Sequence, residues 1–84
     1  MTAPTATRPI YEIARDVHEN WLHVYFGAVP YLEAMDYLTT LDESYGEDPA
    51  WHVLNYFLSN ATTWRGEKAR EIKAEIKALL ATRK

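Results

Sequence analysis

At 84 residues, with 48% hydrophobic and 25% charged residues, the chain has the composition of one folded domain with a modest core, which excludes a disordered or two-domain reading. It contains no cysteine, so disulfide staples, thiolate-held zinc and thiolate chemistry are excluded. A net charge of −3 argues against nonspecific nucleic-acid binding by the whole domain, and no stretch approaches the roughly 20 apolar residues of a membrane span, so a soluble, cytoplasmic protein is expected.

Residues 1–8 are rich in Thr and Ala with no apolar periodicity and read as a flexible N-terminal arm; residues 9–84 read as a single helical domain. Pro9 suits the first turn of a helix, and Ile10, Ile13, Ala14, Val17, Trp21, Val24 and Tyr25 recur at helical spacing as far as Gly27. Gly27 is expected to close that helix in left-handed geometry and Pro30 to open a second, whose stripe Tyr31, Leu32, Met35, Leu38, Leu41 and Tyr45 runs to a stop at Gly46. Asp48-Pro49 repeats the start signal for a third helix, with an apolar face of Trp51, Leu54, Phe57, Leu58 and Ala61, yielding near Asn60. A fourth helix, capped by Thr63, carries the seam Ile72, Ile76, Leu79 and Leu80. No strand pattern competes, and the expected fold is all-α, a small bundle of about four helices, with a helical-hairpin dimer as its rival.

Charge is distributed unevenly. Residues 1–63 hold two basic and nine acidic residues, net −7, whereas residues 64–84 hold seven basic and three acidic ones, net +4. On the last helix Glu67, Glu71 and Glu75 line one flank of the seam, and Arg70, Lys73 and Lys77 the other. Like charges three or four residues apart weaken an isolated helix. Opposite charges on the acidic first two helices, a partner protein or a phosphate ligand would each relieve them.

Three Trp, six Tyr and two Phe supply large rigid surfaces to a short chain, and any left outside favour association. Tyr37, Tyr56 and Trp64 fall off the core stripes and are interaction candidates, while Tyr11, His18 and Leu22 widen the apolar face of the first helix. His18 and His23 are five apart, a spacing that does not align ligands on one helix face, so no metal is expected. Ser44 and Ser59 lack a nucleophile context, and the three glycines stand singly, so neither catalysis nor a cofactor is expected.

The run Tyr56-Phe57-Leu58-Ser59-Asn60-Ala61-Thr62-Thr63-Trp64-Arg65-Gly66-Glu67-Lys68-Ala69-Arg70, continued by Ile72-Lys73-Ala74-Glu75, together with Val29-Pro30-Tyr31-Leu32-Glu33-Ala34-Met35, resembles small uncharacterised proteins encoded by phages of actinobacteria. The resemblance implies a phage product acting inside its bacterial host and carries over no catalytic or binding residues. Residues 59–66 fit a structural junction, in which Trp64 locks a corner and Gly66 allows close backbone approach, or an anchor in which Trp64 and Arg65 protrude toward a partner. The function expected is a noncatalytic protein–protein interaction module, with an unidentified host protein as partner and homodimerisation plausible. Weak nucleic-acid binding through Arg65, Arg70, Lys73 and Lys77 is the alternative.

Overall fold

Pro9 opens the first helix, α1 (Ile10–Asn20), without a side-chain cap. The computed structural model, which describes residues 8–83, shows that another part of the chain meets its leading amides. Ile10 N–H donates to Thr39 O at 3.0 Å and Tyr11 N–H to Leu38 O at 2.9 Å, so two orphan donors of the helix start are satisfied. This long-range cap requires residues 38 and 39 to leave the helical path. The second helix, α2 (Val29–Met35), accordingly ends well before Tyr45, contrary to its apolar periodicity, and hands over through turn bonds such as Leu38 N–H to Met35 O.

The first helix is also shorter than its sequence stripe. It ends at Asn20 rather than near Gly27 because Trp21 adopts a nonhelical backbone and turns into the core. There its ring stacks on Trp64, with centroids 5.2 Å apart and planes at 5°, and meets Phe57 edge-on at 6.2 Å. Burying a large aromatic surface outweighs continuing a solvent-side helical turn. A short 3-10 turn, Phe26–Ala28, then leads into α2.

The stretch before the third helix contains a two-stranded antiparallel hairpin, β1 (Ser44–Tyr45) and β2 (Asp48–Pro49), with Tyr45 opposite Asp48. Its two-residue loop begins with Gly46 at φ +63°, the position at which such a loop needs a positive φ. The expectation of helices alone is corrected here: Gly46 serves a hairpin rather than a helix stop, and Asp48 sits in a strand rather than at a cap. Pro49 precedes α3 (Ala50–Ser59), and Ala50 N–H donates to Glu43 O at 2.8 Å.

The fourth helix, α4 (Glu67–Ala81), starts after Gly66, not at Thr63. Gly66 has φ +111° and ψ 174°, a region open essentially to glycine alone, and a Cβ there would meet nothing within 4 Å. Backbone freedom, rather than close approach, is its role. Gly27 shows the reverse: its φ is not positive, but a Cβ would lie 2.6 Å from the Tyr25 ring and 2.8 Å from Asn60 Oδ1.

The described chain is thus mostly helical, with four helices and one small hairpin. α1 packs on α2 and α4, and α3 packs on the same two; Cα extents of 34 × 33 × 18 Å make a flat molecule about two helices thick. One cluster forms the core, centred on Ile10, Ile13, Met35, Leu54, Phe57 and Ile76, and no polar or charged residue is buried among the described residues. Arg8, the last residue of the expected arm, belongs to this fold. Its guanidinium reaches Asp16 at 2.7 Å and grips Glu75 through two hydrogen bonds of 2.8 and 2.9 Å, and the Glu75 bond is the main cause that raises its pKa above the ordinary arginine value. The rest of the expected arm, residues 1–7, lies outside the described residues.

The two glycines give separable predictions. Gly66→Ala is expected to cost about 1–3 kcal/mol through backbone strain, and Gly27→Ala a similar amount through overpacking, both measured by urea unfolding. Removing the obstructing ring with Tyr25→Ala should recover part of the Gly27→Ala loss and none of the Gly66→Ala loss.

Candidate interaction surface

Four buried positions, Ala50, Val53, Leu54 and Phe57, hold the inner face of α3 to the core. Helical periodicity therefore turns Trp51, His52, Asn55 and Tyr56 toward the outside. Asn55 Nδ2 and Ser59 Oγ donate back to the helix backbone, to Trp51 O and Asn55 O, both at 3.1 Å. The rings instead stack on one another. Tyr31 of α2 faces Tyr56 at 5.3 Å, Tyr56 meets His52 at 4.4 Å, and His52 meets Trp51 at 5.2 Å, with interplanar angles of 26° to 36°. The Arg83 guanidinium lies 3.7 Å from the centroid of the Trp51 ring and closes the row with a cation–π contact. None of the outer three rings belongs to the buried cluster, and Tyr31 only packs against it.

Trp51 and Arg83 also line an open cavity of about 780 Å³, together with Arg8, Thr40, Glu43 and Leu79. Its size falls within the range of ligand-binding clefts. Hydroxyls, carboxylates and guanidinium groups share its wall, so it offers mixed hydrogen bonding at the end of the aromatic row.

The three aromatic interaction candidates occupy three different settings. Tyr56 is in the row. Tyr37, 75% exposed, pairs with Tyr45 of the hairpin at 5.8 Å. Trp64 is only 5% exposed, its indole N–H donates to Asn20 O at 3.3 Å, and its ring faces Trp21. The anchor reading of Trp64 is corrected, since the residue locks a corner between helices; Arg65 beside it is exposed.

Among the basic candidates, Arg70 and Lys77 are exposed, and Lys73 is half-buried with its ammonium donating to Trp64 O at 2.6 Å. Among the described residues, none of Arg65, Arg70, Lys73 and Lys77 makes an ion pair, so the acidic first two helices do not neutralise the stripe. His18 of α1 instead meets Asp36, just past the end of α2, through Nε2 at 3.1 Å. Burial chiefly, then the charges of Lys77 and Arg65, hold the Lys73 amine below the usual lysine pKa.

Sequence periodicity missed most of the row by assigning Tyr31 and Trp51 to core faces. The i,i+4 spacing of His52 and Tyr56 was the available signal; Tyr31 and Arg83 arrive from other elements and left none. No group of three or more His, Asp or Glu able to hold a metal occurs among the described residues, and no described helix is long and apolar enough to cross a membrane. Comparisons with protein-family models, curated proteins and solved structures found no match.

The Lys73 environment predicts that Lys77→Gln raises its pKa toward the ordinary value while leaving the burial contribution, measured by NMR titration at the lysine Cε. Because the folded value is depressed, native lysine releases its proton before unfolded lysine does. The group's contribution to stability should therefore rise with pH through that alkaline interval, and the rise should be smaller in Lys77→Gln.

Proposed function

We propose that the protein is a noncatalytic protein–protein interaction module whose helices act as a small bundle-like scaffold for the aromatic row on α3. The carrying observation is the stacked series Tyr31, Tyr56, His52, Trp51 and Arg83, which remains accessible beside a core already closed without it. Trp, Tyr and Arg dominate binding hot spots, the two aromatics because they bury much surface with few rotatable bonds, and mutual stacking fixes the rings before a partner arrives. The neighbouring cavity would receive a side chain or short segment of that partner. The resemblance to actinobacterial phage proteins points to a host protein, encountered in the cytoplasm, as the target.

Nucleic-acid binding is the competing reading, supported by the exposed Arg65, Arg70 and Lys77. Lys73 contributes less to it than its sequence position suggests, because its ammonium is held by the Trp64 carbonyl.

Affinity capture from actinobacterial lysate separates the two. A specific host protein should be retained after nuclease treatment and be lost in Trp51→Ala and Tyr56→Ala variants with unchanged circular dichroism, each substitution weakening binding by about 1–3 kcal/mol. Retention that requires intact nucleic acid and disappears with Arg70→Glu and Lys77→Glu would overturn the proposal.

A further inference from the structure

We infer that the segment between α1 and α2 is a self-association surface whose partner is a second copy of this chain. Residues 21–32 contain no Asp, Glu, Lys or Arg, and this neutral stretch carries Leu22 at 80% and Phe26 at 78% exposure, with Tyr25 and Val29 partly exposed beside them. Summed, the four side chains present roughly 400 Å² of apolar surface within eight residues of chain, the scale at which exposed apolar surface is often functional.

The segment is held in shape. Trp21 and Ala28 bury it at either side, the Tyr25 and Phe26 rings pack at 4.8 Å, and Gly27 lets the chain lie against Tyr25 and Asn60 at distances that exclude a Cβ. Its apolar groups are therefore displayed by a supported turn, which lowers the entropy cost of docking.

Area and charge select the occupant. With the apolar share usual for subunit interfaces, a 400 Å² patch on each copy implies about 1,300 Å² buried in total, inside the range of stable complexes. A two-fold axis brings one neutral patch onto the other, so no like charges meet at its centre, and Phe26 of one copy can cover Leu22 of the other. A lipid surface fits less well: along the chain no Lys or Arg lies within five residues of the stretch on either side to attract anionic headgroups, and Glu19 and Glu33 border it instead. This surface is distinct from the α3 row, and its use does not depend on the function proposed for that row.

Sedimentation equilibrium of the full chain, from low-micromolar to near-millimolar concentration, tests the inference. The wild type should shift from monomer to dimer mass, and Leu22→Asp with Phe26→Asp should weaken association at least about tenfold, while Tyr56→Ala leaves it unchanged. As both substituted side chains are mostly exposed, circular dichroism should stay native. Since the chain has no cysteine, Phe26→Cys offers a second reading independent of charge insertion: a short bis-maleimide should link two copies efficiently, whereas Lys68→Cys on the outer side of α4 should not link. A wild type that stays monomeric throughout, a dimer indifferent to Leu22→Asp and Phe26→Asp, or a monomer that binds phosphatidylcholine–phosphatidylglycerol vesicles through Phe26 would overturn it.

Discussion

The stacked rings of Trp21 and Trp64 tie together segments that the chain would otherwise leave apart. Trp21 ends α1, Trp64 sits in the connection before α4, and Phe57 of α3 meets the pair edge-on. Polar groups around the rings complete the corner: the Trp64 indole donates to Asn20 O, and Lys73 reaches back from α4 to the Trp64 carbonyl. A buried indole that finds an acceptor keeps its apolar contact area without leaving an unpaired donor. The geometry of the corner accounts for the early end of α1 and for the extended glycine at position 66, since both let the chain leave a helix in the direction the stack requires.

A second closure lies at the other end of α1. The carbonyls of Leu38 and Thr39 cap its first amides, and Arg8 connects Asp16 of α1 with Glu75 of α4. These contacts are partly exposed and individually modest, but they specify which elements become neighbours. They also change the meaning of the charge pattern on α4. The acidic flank is neutralised in part by Arg8, while the basic flank remains open to solvent except for Lys73.

Elements governed by local periodicity were legible in the sequence. The core face of α1, Leu54 and Phe57 on that of α3, the end of α3 near Asn60 and the Ile72–Ile76 seam of α4 follow from spacing that the structure retains. Positions decided by distant partners were not legible. The stripe through Leu38 and Leu41 is as helical as that of α3, yet residues 38 and 39 are recruited by the amides of α1. Trp64 stands off the apolar seam of the helix that follows it because its partner is Trp21, and Gly27 and Gly66 exchange the roles expected of them because one is crowded by side chains and the other is twisted by the corner. The aromatic row shows the same limit: His52 and Tyr56 share a helix face, whereas the two residues at its ends come from α2 and from beyond α4.

The dependence of the fold on the tryptophan corner is measured most directly by a double-mutant cycle on Trp21→Ala and Trp64→Ala, with stability obtained from urea unfolding. A structural stack predicts that the double variant loses less than the two single losses combined, with a coupling of about 1 kcal/mol or more. Losses that add within about 0.3 kcal/mol would show two independently buried rings and contradict the central place given to their contact.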